Sequence, residues 1–273
     1  MRCTGLQDRP ASPQVNAHDG VFGPHKVQTR DVYWSFSPTA PAIEMVWMGD
    51  SDVGRGIGHR SDPVLGADLV FTLVDGRCTA RLRGPVTRRQ TYPHVPGAEY
   101  VGLRFCPGSS ESTLGARLHD LQNSSIETRS FGQMDLHRVS DQLLSLNTLA
   151  ERGEAVAHLL TPDPDARRAP NALVTEALRR FASGNARVAN VADELGVSER
   201  GLQRCFAQPL GIAPKHAARL VRVSWLLKHL DAQPNSDLAV TAVDAGFFDQ
   251  AHMTNEIRRV LATTPAALVD ERG

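Results

Sequence analysis

The sequence has no surplus of either charge sign and contains little cysteine. Lys plus Arg and Asp plus Glu each number 30 in 273 residues, so no overall charge points to a nucleic acid, a membrane surface or an acidic partner. A nucleic-acid surface would therefore have to be a local patch. The cysteines contain no CxxC pair, which argues against a disulfide framework or a zinc site. We expect reduced, structural thiols at Cys3, Cys78, Cys106 and Cys205.

Long apolar runs are missing as well. No segment approaches the roughly 18 apolar residues that span a bilayer, and the opening MRCTGLQDRP lacks the apolar core of a secretion signal. We therefore expect a cytoplasmic protein with no membrane partner. The length exceeds that of a typical single domain, which predicts two domains that each bury a core.

The first half of the chain is predicted to form a small β-rich domain at 27–160, preceded by a loosely ordered terminus at 1–26 that is rich in Pro, Gly, Asn and Asp. Apolar residues alternate on both sides of Asp75-Gly76, which predicts a β-hairpin with a type I′ turn. Further strands are predicted at Val101–Phe105, Tyr33–Phe36 and Ile43–Met48.

Helices are predicted after the strands. Beyond Pro107-Gly108 the apolar period lengthens to about 3.6, with one helical face formed by Leu136, Val139, Leu143 and Leu146. A second helix is indicated by Val156, Leu159 and Leu160. Residues 161–170 carry three prolines among charges, which is typical of an interdomain linker. The fold class is thus α+β, with a small antiparallel β domain before an all-helical domain at 171–273.

The helical domain contains an internal repeat at a constant offset of 51 residues. Gly196 and Gly246 mark a turn before the second helix of each copy. The matched pairs are Ser198 with Asp249, Leu202 with Met253, Phe206 with Ile257, Leu210 with Leu261, and Pro214 with Pro265. Each copy is predicted to be helix, glycine turn, helix.

This arrangement favours a helix-turn-helix, in which a supporting helix packs across a second helix that enters the major groove. Ser198 and Asp249 stand where N-caps are expected. Arg can bond to guanine edges, and Gln or Asn to adenine edges. The outward residues predicted to read bases are Arg200, Gln203, Arg204, Gln250, His252 and Asn255. The two arginines could instead touch phosphates, and His252 could be structural.

Between the copies, a helix is predicted from Pro214 to about Leu230, which would hold the two modules rigidly apart. Residues 199–222 hold five basic residues and one acidic residue, a local surplus of four. Backbone contacts to DNA are predicted for Ser198, Lys215, Arg219, Arg222 and Asp249.

The segments GVSERGLQRCFAQPLGIAPK and AGFFDQAHMTNEIRRVLATTP resemble the two recognition modules of the AraC/XylS family of bacterial transcription regulators. The resemblance covers about residues 171–269. It implies a seven-helix bundle that reads adjacent major-groove segments of promoter or operator DNA, with the base-reading residues named above. Three positions depart from the common pattern: Asn255 in place of Arg, Ile257 in place of Phe, and Ala262 in place of Gly. The change at Asn255 bears on the strength and the base sequence of the contact that the second module makes with DNA.

The segment PHVPGAEYVGLRFCPG resembles the β-rich sensor and dimerisation domains of a subgroup of the same family. The resemblance implies a pocket in the sheet for a small-molecule effector. It also implies that helices within 109–160 pair two protomers in a homodimer. For a regulator that binds promoter DNA, RNA polymerase is an expected protein partner.

Two other functions remain open at this stage. The first is an enzyme, such as a hydrolase or a DNA-repair activity, with an attached DNA-targeting module; it would need a nucleophile and a base with recognisable spacing. The second is a helical adaptor that binds only protein. The residues predict neither catalysis nor a cofactor or metal: Gly49-Asp50-Ser51 is favoured as a turn, Gly54–Gly58 as a loop, and His25, His59 and His94 lack ligand spacing.

Overall fold

A computed structural model describes residues 33–36, 42–51, 59–93, 95–108, 118–131, 134–159, 171–183 and 187–272. The predicted loose terminus at 1–26, the predicted linker at 161–170 and the glycine-rich loop at 54–58 lie outside these residues. The strands are β1 (Tyr33–Phe36), β2 (Ile43–Asp50), β3 (His59–Ser61), β4 (Asp68–Val74), β5 (Arg77–Arg83), β6 (Gln90–Tyr92), β7 (Glu99–Phe105), β8 (Ser125–Glu127), β9 (Ser130–Phe131) and β10 (Met134–Asp135).

Helices contain most of the other described residues. They are α1 (Leu136–Ser145), α2 (Leu149–Leu159), α3 (Ala172–Ala182), α4 (Val188–Glu194), α5 (Glu199–Leu210), α6 (Pro214–Ala232), α7 (Leu238–Asp244), α8 (Gln250–Leu261) and α9 (Pro265–Arg272), with a short 3-10 helix at Leu118–Leu121. The predicted order of a β-rich part followed by helices is confirmed.

The main sheet is antiparallel, with six strands in the order β1-β2-β7-β4-β5-β8. The predicted hairpin is formed by β4 and β5, with Leu73 opposite Cys78 and Val74 opposite Arg77. Asp75 and Gly76 both adopt positive φ, 50° and 70°, as a type I′ turn requires. The predicted strands at Val101–Phe105, Tyr33–Phe36 and Ile43–Met48 are also present.

One face of this sheet packs against α1 and α2. Leu136, Val139, Leu143 and Val156 are buried with Leu69, Phe71, Leu103 and Phe105 of the strands in one apolar cluster. At Gly102 the backbone of β7 approaches Trp47 so closely that an added Cβ would lie 2.2 Å from the Trp47 ring. Four residues of the two predicted helical faces, Leu136, Val139, Leu143 and Val156, are therefore in the core, and Leu146 is partly buried against it. Leu160 and the side chain of Leu159 lie outside the described part of the chain.

Seven helices, α3 to α9, form the described part of the chain from residue 171 onward. Helix α6 is buried along most of its length, at Leu220, Val223, Leu227 and Leu230 among others. At 19 residues it is roughly 28 Å long at about 1.5 Å per residue. It extends two residues beyond the predicted end at Leu230 and is the central element of the bundle.

The two parts contact each other directly. Leu65, from the loop between β3 and β4, is buried in the apolar cluster of the helical bundle. The Arg89 backbone N–H donates to the Val260 carbonyl at 2.8 Å, and its guanidinium pairs with Asp62 at 2.9 Å and with Glu271 at 3.0 Å. The 3-10 helix also contacts α5. The β-rich part thus touches both halves of the helical bundle.

Among the described residues, no helix combines the length and the apolar composition needed to cross a bilayer.

Candidate nucleic-acid interface

The first copy of the repeat consists of α4 and α5. Ser198 is the N-cap of α5, and its hydroxyl accepts a hydrogen bond from the Gly201 backbone N–H at 3.0 Å. Gly196 takes a φ of 68° in the turn, which a residue with a side chain rarely adopts. Leu202 and Phe206 are fully buried. The predicted cap, turn and core residues of this copy are confirmed.

The second copy consists of α7 and α8 and repeats this geometry. Helix α8 has 12 residues, like α5, and its N-cap Asp249 accepts from the His252 backbone N–H at 2.7 Å. Gly246 takes a φ of 78° in the turn, and Met253 and Ile257 are fully buried. Ile257, where Phe is usual, therefore still fills the core position.

The two copies differ where the second helix ends. Both C-caps are left-handed, but Gly211 provides that of α5 and Ala262, with a φ of 53°, provides that of α8. A left-handed conformation costs a residue with a Cβ about 1 to 2 kcal/mol. This strain explains why glycine is usual at the position of Ala262.

We therefore expect Ala262→Gly to raise the free energy of unfolding by about 1 kcal/mol, because relief of the strain exceeds the added freedom of the unfolded chain. Ala207→Gly is the matched control, since Ala207 is exposed in the interior of α5. That substitution should lower the free energy of unfolding by about 1 kcal/mol. Urea denaturation measures both; a change of the same sign in the two variants would contradict the strain at Ala262.

Five of the six predicted base-reading side chains are exposed: Arg200, Gln203, Arg204, Gln250 and Asn255. In the first copy they lie in the first two turns of α5, directly after its N-cap. In the second copy they lie in the corresponding turns of α8. Each recognition helix thus presents side chains that can bond to base edges, while its opposite face is buried.

The sixth residue, His252, is only partly exposed. Its Nδ1 accepts a hydrogen bond from the Phe248 backbone N–H at 3.2 Å, and its ring meets the Phe247 ring edge-on, with centroids 5.5 Å apart. These contacts fasten the turn between α7 and α8 to the first turn of α8. His252 therefore has the structural role that the sequence analysis left open.

The cations predicted to contact the DNA backbone have unequal surroundings. Lys215 is exposed at the start of α6. Arg219 is paired with Glu256 of α8 at 2.5 Å, with both side chains less than one fifth exposed. Arg222 lies over the Phe247 ring, 5.7 Å from its centroid, and burial lowers its pKa. Arg219 and Arg222 therefore join α6 to the second copy.

The hydroxyl of Ser198 and the carboxylate of Asp249 are engaged in capping, so each holds the amide end of a recognition helix in place. A backbone contact by Ser198, Lys215, Arg219, Arg222 or Asp249 stays a prediction.

Sequence reasoning missed the most exposed aromatic side chain of this surface. Phe248, immediately before the N-cap of α8, is 87% exposed, and Val240 and Val243 of α7 are 58% and 64% exposed. Phe247, which precedes Phe248 in the chain, is only 4% exposed. The signal was the Phe-Phe pair itself, since two adjacent side chains in a tight turn do not point into the same core.

The turn predicted at Gly49-Asp50-Ser51 is wrong for its first two residues, because Gly49 and Asp50 end β2 and pair with Tyr100 and Glu99 of β7. Ser51 is buried, and its hydroxyl accepts a hydrogen bond from the Ala98 backbone N–H at 2.9 Å, which is a structural role. Burial raises the pKa of the Cys106 thiol to about 12 and also raises that of Cys78, so neither is an activated nucleophile. Within the described ranges, no group of three or more His, Cys, Asp and Glu side chains could hold a metal ion.

Parts of the chain are similar to a known domain family and to several solved structures. Residues 191–271 match the model of a helix-turn-helix domain family. No curated protein sequence matches the chain. A solved regulator from Chromobacterium violaceum with an AraC-type DNA-binding domain is 24% identical; the match covers 37% of this chain and 92% of that one, with a TM-score of 0.34.

Structures of ToxT from Vibrio cholerae are similar over a longer part of the chain. One is 8% identical, covers 88% of this chain and 98% of its own, and has a TM-score of 0.43. Another, with an unsaturated fatty acid bound, is 10% identical; the match covers 89% of this chain and 92% of the ToxT chain, with a TM-score of 0.40. The family match and the two capped copies together make residues 191–271 of this chain a helix-turn-helix domain.

Proposed function

We propose that the chain binds promoter or operator DNA by inserting α5 and α8 into adjacent segments of the major groove. The observation that carries the proposal is the repeat of one capped helix, buried on one face and exposed on the other, in a domain that matches the helix-turn-helix family. Arg200, Gln203 and Arg204 are the proposed readers in α5. Gln250, His252 and Asn255 are those in α8.

Two side chains, His252 and Phe248, have particular roles on the proposed DNA-binding surface. Because the Nδ1 atom of His252 is used within the turn, that residue is a positioning residue in the proposal as well as a base contact. Phe248 stands beside the proposed reader Gln250 and is suited to the methyl group of thymine, an apolar contact that aromatic side chains make in the major groove.

The experiment that tests the proposal is selection of bound duplexes from a random DNA library, followed by affinity measurement on the selected sequence. Arg204→Ala should weaken binding to that sequence about tenfold to a hundredfold, because a paired Arg–guanine contact contributes about 1 to 3 kcal/mol of discrimination. Binding to unrelated DNA at the same salt concentration should change much less.

Arg77→Ala is the matched control, since Arg77 is an exposed arginine in the hairpin of the β-rich part. It should leave the selected sequence and the affinity unchanged. If Arg204→Ala weakened all sequences equally and lowered the salt dependence, Arg204 would contact a phosphate instead of a base. If the library yielded no preferred sequence, the proposal would be wrong.

The remaining features of the proposal concern the rest of the chain. We propose domain limits at 27–160 and 171–273, joined by a linker at 161–170 after a terminus at 1–26. The β-rich domain would carry a small-molecule response, a homodimer contact, or both, and RNA polymerase would be the protein partner. The protein would act in the cytoplasm and would have no catalytic activity.

A further inference from the structure

A cavity of about 400 Å³ lies between the β-rich part and the helical bundle. Thr87 and Arg88, which follow β5, form one wall. Lys215, His216 and Arg219 of α6 and Arg259 of α8 are on the other side. Since the walls come from both parts, anything bound in the cavity would contact both.

The lining is strongly cationic. Four of its side chains are Lys or Arg and one is His, and no Asp or Glu lines it in the part of the chain that the structure describes. Arg219 is paired with Glu256, but among the described residues no carboxylate pairs with Arg88, Lys215 or Arg259. Burial lowers the pKa of His216, and the charges of Arg219 and Arg259 lower it further. The cavity is thus a site of uncompensated positive charge.

We propose that this cavity binds a small anion with at least two negative charges, through phosphate or carboxylate oxygens, and that the bound anion joins the two parts of the chain. Its volume is within the range of small-molecule sites, about 300 to 1,000 Å³. Guanidinium groups bond to both oxygens of such an anion in a paired geometry. The regulatory consequence, a domain arrangement that responds to the anion, rests on the proposed function.

The same oxygen chemistry could come from a phosphate of the DNA backbone. The position of the cavity favours a small molecule, because it lies at the first turn of α6 and the last turn of α8. The proposed base readers of α8 lie in its first two turns. Thr87 and Arg88 of the β-rich part also border the site, so a duplex would have to fit against both parts.

Isothermal titration of the full chain with pyrophosphate and with citrate tests the proposal, at an ionic strength held constant with sodium chloride. At least one probe should bind with a stoichiometry of about one. Arg88→Gln should weaken that binding at least tenfold, and so should Arg259→Gln on the opposite wall. Arg77→Gln, which removes the same charge from an exposed hairpin, should bind like the wild type.

Failure of both probes to bind, or equal binding by the wild type and Arg88→Gln, would overturn the proposal. The DNA source is distinguished by measuring Arg88→Gln on the selected duplex without added anion. Unchanged affinity supports a small anion, whereas a tenfold loss with displacement of pyrophosphate by DNA would assign the cavity to a backbone phosphate. Arg204→Ala separates this proposal from the proposed function, since it should lose the duplex and keep the probe.

The imidazole of His216 gives a second readout. The groups that face it are Arg219 of the same helix, and Arg259 and Glu256 of α8, with Arg88 across the cavity. A bound anion would stabilise the protonated ring, so binding should raise the pKa of His216 and take up a proton. Probe affinity should therefore increase as pH falls through that pKa. NMR titration of the ring that showed no shift with saturating probe would contradict the site.

Discussion

Phe206→Ala is expected to lower the free energy of unfolding of the helical bundle by about 3 to 5 kcal/mol, because it leaves a cavity where a fully buried ring was packed. Phe206 is 0% exposed. Its ring meets that of Phe181 at 61°, with centroids 6.1 Å apart, so it connects α5 to α3. The loss should appear as an earlier transition in guanidinium unfolding followed by the helical circular dichroism signal.

Phe248→Ala is the matched control, since it removes the same atoms from a side chain that is 87% exposed. Its stability should stay within about 0.5 kcal/mol of the wild type. Affinity for a selected duplex should nevertheless fall if Phe248 contacts a thymine methyl. Equal destabilisation by the two variants would contradict the placement of Phe206 in the core and Phe248 at the surface.

Arg104→Met is expected to lower the free energy of unfolding by about 3 to 5 kcal/mol, because it leaves a carboxylate unpaired in a largely buried site. The Arg104 guanidinium donates to both carboxylate oxygens of Asp68, at 2.8 and 3.0 Å, and each side chain is 14% exposed. Glu44 is a second carboxyl group near Arg104. Its pKa is raised from 4.5 to about 7 by burial, against the lowering effects of Arg104 and Lys228.

The effect of this substitution should depend on pH. Because the folded state raises the pKa of Glu44, ionisation of Glu44 costs stability as pH rises from about 4.5 to about 7. Removal of Arg104 takes away a cation that lowers this pKa, so the destabilisation should be larger at pH 8 than at pH 6. Denaturant unfolding at the two pH values measures the difference.

Arg81→Met provides the control for a pair on the surface of the same sheet. Arg81 and Glu127 are 3.6 Å apart with side chains 44% and 57% exposed, and exposed pairs contribute about 0 to 1 kcal/mol. Its effect should be small at both pH values. A similarly small effect of Arg104→Met would show that the pair with Asp68 contributes little.

The sequence was sufficient for features that depend on local conformation. Asp75-Gly76 predicts the hairpin because few residues tolerate positive φ at two successive positions. The offset of 51 residues predicts both recognition helices because the same cap and core positions recur. In these cases the residue type is dictated by neighbours within a few positions in the chain.

Features that depend on distant contacts could not be predicted in this way. Arg219 and Arg222 were predicted to contact the DNA backbone, but α6 is surrounded by other helices, and Glu256 of α8 is an ion-pair partner of Arg219. Leu65 is buried in the bundle although it belongs to the β-rich half of the sequence. The cationic cavity is likewise formed by residues more than one hundred positions apart.

The central burial of α6 has a consequence for the DNA sequences that this protein can use. A helix packed along most of its length cannot stretch or pivot between the two modules, and Arg89 further fastens the β-rich part to α8 and α9. One base pair inserted between the two recognised segments would rotate one of them by about a tenth of a turn of B-DNA. Functional operators should therefore share a single spacing, even where their bases differ.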